Sequence, residues 1–229
     1  GGNTVADILT GKVCPSGKLT MTWPVTASDH PSTANFPQDD LSLYSYREMK
    51  GWGMPMKGFD FTNHDEDIYV GYRYFDTFGK AVAYPFGYGL SYTSFTYGKP
   101  TVKVAGENVV ISVMVKNTGK VEGKEAVQVY VSAPEAGIEK PAKELKSFAK
   151  TKALKPGESE TLKMTIPVRD LASYDEQNSQ WLAPAGTYTF HVAANINDIR
   201  GTATASIKQY TEKTSDVLAP QQPLNLLKR

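Results

Sequence analysis

The stretch Val109-Val110-Ile111-Ser112-Val113-Met114-Val115 alternates so that Ile111, Val113 and Val115 share one face of an extended strand. The same alternation occurs in three later stretches, at Val127, Val129 and Val131, at Leu162, Met164 and Ile166, and at Tyr188, Phe190 and Val192. Turn signals separate the stretches, at Asn117-Thr118-Gly119, Lys155-Pro156-Gly157 and Pro184-Ala185-Gly186. About seven short strands in roughly 110 residues predict an immunoglobulin-like or fibronectin-III-like β-sandwich over residues 98–210.

The N-terminal residues predict a different kind of structure. Residues 1–11 have apolar side chains at helical spacing, with Asn3 or Thr4 as the N-cap and Gly11 in the left-handed conformation that ends a helix. Residues 18–23 then alternate as a short strand. A helix, a tight turn and a strand form half of an α/β unit. The predicted fold class is therefore an α/β fragment followed by an all-β sandwich.

The segment between these two regions is rich in aromatic residues but has no regular period over residues 25–64. A loop of this length is uncommon in a compact domain unless it has a function. Sugars present C–H faces that stack on aromatic rings, so Trp52, Phe59 and Phe61 are candidate substrate contacts in this loop. The alternative is that these rings anchor the loop to a neighbouring domain.

The acidic run Asp65-Glu66-Asp67 begins a predicted strand over residues 65–76. The run is expected either to be solvated or to form a salt bridge with Arg73, and the alternative is a contact with substrate. Farther along the chain, Gly87 and Gly89 alternate with large side chains. Because glycine has no Cβ, the rings at this point can fold over the backbone.

Three groups of motifs carry a resemblance to a known family. The first is Gly2-Asn3-Thr4-Val5-Ala6-Asp7-Ile8-Leu9-Thr10-Gly11 with Pro15-Ser16-Gly17-Lys18-Leu19 and Thr22-Trp23-Pro24. The second is Tyr69-Val70-Gly71-Tyr72-Arg73-Tyr74-Phe75-Asp76 with Pro85-Phe86-Gly87-Tyr88-Gly89-Leu90-Ser91-Tyr92-Thr93. The third is Leu145-Lys146-Ser147-Phe148, Leu154-Lys155-Pro156-Gly157-Glu158-Ser159 and Pro184-Ala185-Gly186-Thr187-Tyr188. In this order the chain resembles the end of the α/β sandwich domain and the fibronectin-III-like domain of glycoside hydrolase family 3.

The resemblance implies a role in the hydrolysis of β-glycosides. Family members act on β-linked glucosides, xylosides and related sugars with retention of configuration. Their aspartate nucleophile lies on a preceding (β/α)8 barrel, and their acid/base glutamate lies earlier in the α/β domain. Both would precede Gly1, so no residue of this chain is assigned a catalytic role. The implied division is the end of the α/β domain at residues 1–97, the sandwich at 98–210 and a C-terminal extension at 211–229.

The same resemblance implies that the remainder of the enzyme is the partner of this chain, either covalently joined to it or as a separate chain. The implied substrate is an oligosaccharide or another glycoside, and the chain alone is expected to be inactive. A periplasmic or secreted enzyme is suggested, and homo-oligomerisation is left open. The alternative function is a non-catalytic carbohydrate-binding or adhesion module, because β-sandwiches host many such functions.

The composition argues against several other partners. The 229 residues carry 25 basic and 24 acidic side chains, and a formal net charge of +1 gives no electrostatic basis for binding nucleic acid or an anionic membrane. No apolar run reaches the ~20 residues of a membrane span. The single cysteine, Cys14, and the scattered histidines His30, His64 and His191 predict no metal site and no cofactor. His191 falls between core positions of its strand and is expected at the surface.

Overall fold

The computed structural model describes residues 1–35, 47–48, 55–56, 64–217, 219 and 223–229. The early elements are α1 (Gly2–Leu9), β1 (Trp23–Pro24), 3-10 helices at Ala27–Asp29 and Pro31–Asn35, β2 (Arg47–Glu48), β3 (Pro55–Met56), α2 (Tyr72–Thr77) and β4 (Val82–Tyr84). The later elements are β5 (Phe95–Tyr97), β6 (Thr101–Ala105), β7 (Asn108–Asn117), β8 (Ala126–Ser132), β9 (Glu144–Lys150), β10 (Ser159–Pro167), a 3-10 helix at Val168–Leu171, β11 (Ser173–Asp175), β12 (Gln180–Ala183), β13 (Gly186–Asn195), β14 (Asp198–Ile207) and β15 (Tyr210–Lys213). Both helices lie among the early elements and a run of strands follows α2, which agrees with the predicted fold class.

Two antiparallel sheets form the sandwich. The first has the strand order β10-β7-β5, with β6 also paired to β7, and the second has the order β14-β13-β8-β9. Val113 lies opposite Leu162 in the first sheet, and Phe190 lies opposite Val131 in the second. A third sheet of three strands has the order β11-β12-β15.

The core of the sandwich holds the residues that the alternation placed there. Ile111, Val113 and Val115 on β7 are at most 1% exposed, and they pack in one cluster with the apolar positions of β8, β10 and β13. Lys116 and Lys163, which lie between core positions, are exposed. Full burial of each large apolar side chain stabilises the fold by about 1.5–3 kcal/mol. The predicted strand faces are therefore confirmed.

The outer face of the β14-β13-β8-β9 sheet is covered by residues that precede the sandwich. Tyr130 on β8 and Ala193 on β13 are fully buried, although they lie outside the main core cluster. Tyr72 and Phe86 pack against them, with 4.6 Å between the centroids of these two rings. The molecule therefore has three layers, namely two sheets and an aromatic segment over the second sheet.

Gln128 lies at the centre of this added layer and is 4% exposed. Its side-chain amide donates hydrogen bonds to the carbonyl oxygens of Gly87 at 3.2 Å and Ala194 at 2.9 Å. Gly87 has φ of +80°, and a Cβ at this position would overlap the side-chain oxygen of Gln128. A Cβ at Gly89 would overlap the carbonyl oxygen of Gly17. Both glycines are thus required by close packing, and Gly87 by its backbone angle as well.

The predicted strand over residues 65–76 is wrong. Residues 65–68 form a turn, Gly71 has φ of +58°, and α2 begins at Tyr72. A helical turn places Tyr72 and Phe75 three residues apart on one side, and Phe75 is 3% exposed. The aromatic residues suggested a strand, but the strand preference of aromatic residues depends on the surface against which they pack.

The predicted strand over residues 18–23 is reduced to Trp23–Pro24, which pairs with β4. Leu19 instead exchanges backbone hydrogen bonds with the glycine-rich turn, donating to Tyr88 O at 2.7 Å and accepting from Gly87 N at 2.8 Å. The N-cap prediction is also wrong, because α1 starts after Gly1 without a side-chain cap.

The C-terminal residues form an extended arm on the segment before α2. The backbone N–H of Leu227 donates to the carbonyl of Asp65 at 2.6 Å. The backbone N–H of Arg229 and the hydroxyl of Tyr69 both donate to Glu139 Oε1, at 2.7 and 2.6 Å. These bonds lower the pKa of Glu139, with the Tyr69 hydrogen bond as the largest cause.

Candidate functional site

Among the residues that the structure describes, the largest group of exposed apolar side chains lies within residues 1–92. Nine of them define what we call the N-terminal apolar face: Val5, Leu9, Val13, Met21, Trp23, Val25, Tyr84, Leu90 and Tyr92, each between 47% and 77% exposed. Their backbone segments are tied together, since Trp23 lies opposite Tyr84 and the Tyr92 hydroxyl donates to the carbonyl of Ile8 at 2.9 Å. Large apolar patches on a protein surface mark interaction sites.

The N-terminal apolar face is held to the sandwich through Glu125. This carboxylate lies 3.3 Å from Lys18 Nζ, and both side chains are largely buried. The Tyr97 hydroxyl donates to the same oxygen at 2.8 Å, and burial raises the pKa of Tyr97 so that it keeps its proton. Removal of one member of a buried ion pair is costly because its partner is left uncompensated. The polar contact therefore fixes the α/β fragment relative to the sandwich.

The three predicted substrate contacts, Trp52, Phe59 and Phe61, lie outside the described residues. Within the same loop, β2 and β3 pair antiparallel, with Arg47 opposite Met56. The role of the three rings stays a prediction.

The acidic run has the predicted solvated setting only in part, because Asp67 is exposed but Glu66 is buried. Glu66 is 8% exposed rather than solvated, and its Oε1 lies 3.4 Å from His64 Nδ1. Arg73 does not pair with the run, because its Nη2 lies 3.1 Å from Glu144 Oε1. The expected salt bridge is thus wrong. The helical turn that begins at Gly71 directs Arg73 towards β9.

The prediction that His191 lies at the surface is wrong, because the aromatic segment covers the outer face of its sheet and leaves the residue half-buried. His191 Nε2 lies 2.9 Å from Ser132 Oγ. The Ser132 hydroxyl donates its single hydrogen to Ala142 O at 2.7 Å, so Nε2 carries the proton of the neutral ring. Burial lowers the pKa of His191, the charge of Lys143 acts in the same direction, and Asp76 opposes it.

Other candidate chemistry is limited in the part of the chain that the structure describes. No group of three or more His, Cys, Asp or Glu side chains is placed there to hold a metal ion. No helix in that part is long and apolar enough to cross a membrane. Cys14 is half-buried, with its Sγ 3.3 Å from Ser91 Oγ.

A cleft of about 950 Å³ was not anticipated from the sequence. It opens between residues 67–73, the loop and strand at 136–146, the β11–β12 hairpin and residues of the C-terminal arm. The sequence feature that could have indicated this cleft is a polar turn at residues 175–179 between Tyr174 and Trp181. Only the pairing of β11 with β12 brings these two aromatic residues opposite each other.

Two family models match the chain. Residues 1–92 match the glycosyl hydrolase family 3 C-terminal domain, and residues 125–196 match the fibronectin type III-like domain. The chain belongs to glycoside hydrolase family 3. The resemblance inferred from the motifs is thus confirmed, and the chain corresponds to the C-terminal part of family members.

Named relatives agree with this assignment. β-Glucosidase A of Butyrivibrio fibrisolvens is 39% identical over 249 residues, which cover 99% of this chain and 27% of that protein. An exo-α-(1→6)-L-arabinopyranosidase of Bifidobacterium longum is 36% identical, covering 90% of this chain and 25% of that protein. The structure of β-glucosidase 3B from Thermotoga neapolitana in complex with glucose is 43% identical, with a TM-score of 0.82 over 93% of this chain and 27% of that chain. The chain spans about a quarter of the length of the curated relatives it matches.

Proposed function

We propose that this chain is the C-terminal part of a retaining β-glucosidase that removes terminal β-linked glucosyl residues from oligosaccharides. The observation that carries the proposal is the similarity to a β-glucosidase along 99% of the chain. Retaining hydrolysis needs two carboxyl groups about 5 Å apart on either side of the scissile bond. On this proposal both groups belong to the remainder of the enzyme, and the chain alone is inactive.

The N-terminal apolar face supports the proposal that the catalytic groups lie in the remainder of the enzyme. On the proposal it is the surface on which the barrel and the rest of the α/β domain pack. Each 100 Å² of apolar area covered in this way contributes about 2.5 kcal/mol. Residues 1–97 then complete the α/β domain, residues 98–210 brace it as a sandwich, and residues 211–229 form the extension.

The proposal gives the loop before α2 a role at the substrate. Trp52, Phe59 and Phe61 would stack on sugar rings at the edge of the pocket formed by the remainder of the enzyme. A second candidate activity is hydrolysis of a pentopyranoside, such as a β-xyloside or an α-L-arabinopyranoside. The similarity to an arabinopyranosidase favours it, since the same C-terminal region occurs in a relative named for another sugar.

A substrate panel tests the proposal. The full-length polypeptide that contains this chain is assayed on nitrophenyl β-D-glucoside, β-D-xyloside and α-L-arabinopyranoside, and NMR follows the anomer first released. The expected result is the highest kcat/KM on the β-glucoside, with the β-anomer released first. A folded full-length protein that hydrolyses none of the three would overturn the proposal.

A further inference from the structure

The cleft beside the β11–β12 hairpin has the size of a ligand site. Its volume of about 950 Å³ lies within the usual range of roughly 300–1,000 Å³ for small-molecule pockets. Its walls come from five separate parts of the chain, the fifth being Gln209, so the cleft exists only in the folded molecule. None of these parts belongs to the N-terminal apolar face.

One wall of the cleft is fixed by Asp175, which is 8% exposed. Its Oδ2 accepts hydrogen bonds from Asn178 Nδ2 at 2.8 Å and from Gln180 Nε2 at 2.9 Å, and its Oδ1 accepts from Asn178 N at 3.2 Å. These bonds lower the pKa of Asp175, and they orient both amides before a ligand arrives. Preorganised polar groups bind with a smaller entropy loss than mobile ones.

Aromatic residues complete this wall. Tyr174 and Trp181 both line the cleft, and their rings stand edge to face with 5.7 Å between centroids. Trp181 is 40% exposed, so part of its ring is free to contact a ligand. An aromatic ring beside oriented amides suits a ligand that has both apolar and hydroxyl-bearing faces.

The charges of the cleft favour a neutral ligand. Five acidic and three basic side chains line it. The bases are already paired, since Arg73 and Lys146 share Glu144 at 3.1 and 3.2 Å, and Lys228 lies 3.4 Å from Glu139. The remaining carboxylates accept hydrogen bonds but repel an anion. A divalent cation is not favoured either, because no suitable group of three ligands occurs among the described residues.

We infer that this cleft binds a neutral oligosaccharide, with Trp181 stacking on a sugar ring and the carboxylate and amide oxygens accepting hydrogen bonds from its hydroxyl groups. A neutral sugar chain supplies what the cleft lacks, namely many hydroxyl donors and no negative charge. The inference rests on the sandwich and its arm, and it holds whichever glycoside the complete protein hydrolyses.

A fluorine label at tryptophan tests the inference in the full-length protein. The fluorine NMR signal of 5-fluoro-Trp181 is assigned by its loss in Trp181→Phe. The probe is sulfur-linked cellotetraose, which a glycosidase does not cleave. The expected result is a saturable shift of the Trp181 signal. Asn178→Ala keeps the labelled ring but removes one of the oriented amides, and it should raise the probe concentration at half-saturation by about tenfold.

Phe148→Ala is the matched control, because Phe148 is an aromatic residue on β9 that is 72% exposed and does not line the cleft. This variant should bind the probe like the wild type. A Trp181 signal of the wild type that stays unmoved at millimolar probe overturns the inference, even if Asn178→Ala fails to fold. A shift produced by tetragalacturonate but not by the neutral probe also overturns it. Hydrolysis of nitrophenyl β-glucoside by the unlabelled protein tests the proposed function separately.

Discussion

Gln128 and Glu125 are polar residues buried between the sandwich and the segments that precede it, at 4% and 7% exposure. Gln128 donates a hydrogen bond to the carbonyl of Gly87, and Glu125 forms an ion pair with Lys18. An apolar side chain could make neither contact. Buried polar groups are costly when they lose a partner. Substitutions at these contacts should therefore separate the layers before they affect the main core.

Gly87→Ala tests the contact between the layers. The added methyl group meets the Gln128 side chain and also forces alanine to a φ of +80°, so we expect a cost of about 3 kcal/mol or more. Gly137→Ala is the control, because Gly137 has φ of +78° with open space around it and should cost only about 1 kcal/mol. Urea unfolding measures both variants, and equal costs would show that the contact with Gln128 is unimportant.

His191 should give the protein a pH-dependent stability. Its pKa in the folded state lies below the unfolded value of about 6.5, so the stabilisation from the neutral ring is complete above that pH and is lost as pH falls through the folded pKa. Lys143 and Asp76 face it as an ion pair with 2.8 Å between Nζ and Oδ1. In His191→Gln the thermal midpoint should fall less steeply from about pH 7 to 5. Parallel curves for the two proteins would rule out this role of His191.

Among the elements, the strands of the sandwich were predictable from the sequence and the short elements before it were not. Strands β7 and β10 carry one apolar face over nine or ten residues, and their alternation alone places the core. Residues 72–77 form a helix because Tyr72 packs on a sheet that comes later in the chain, and Phe75 on the same side of the helix is buried. No local pattern contains that information. The cleft was missed for the same reason, since its walls meet only after folding.

The C-terminal arm should protect the turn before α2. Deletion of residues 223–229 removes the backbone bond from Leu227 to Asp65 and two of the contacts to Glu139. We expect faster amide hydrogen exchange over residues 65–70, with no change in β7 or β13, which belong to the main core. Exchange followed by mass spectrometry measures this. Unchanged exchange at residues 65–70 would mean that the arm adds nothing to the stability of the turn.

For the whole molecule, the most informative feature is the N-terminal apolar face, because its apolar side chains are exposed whereas those of the sandwich strands are buried. The chain spans only about a quarter of the length of its family relatives, and on the proposed function the face packs against the remainder of the enzyme. The sequence predicted half of an α/β unit in this region. It did not predict how Glu125 ties that unit to the sandwich.

Leu9→Gln tests the N-terminal apolar face directly. Leu9 is 77% exposed in this chain, and its burial against the remainder of the enzyme should contribute about 2 kcal/mol, so the variant should bind the remainder roughly thirtyfold less tightly. Val217→Gln is the control, because Val217 is equally exposed but lies in the C-terminal extension. Isothermal titration of each variant into the separately produced remainder measures the difference. If the two variants bind the remainder with equal affinity, the remainder does not pack on the N-terminal apolar face at Leu9.

The proposed role of this chain is tested most simply by the rate of nitrophenyl β-glucoside hydrolysis as the chain is added to the separately produced remainder of the polypeptide. Neither part should be active alone, and activity should rise to saturation as the two combine. Hydrolysis by the chain by itself, or full activity of the remainder without it, would contradict the account.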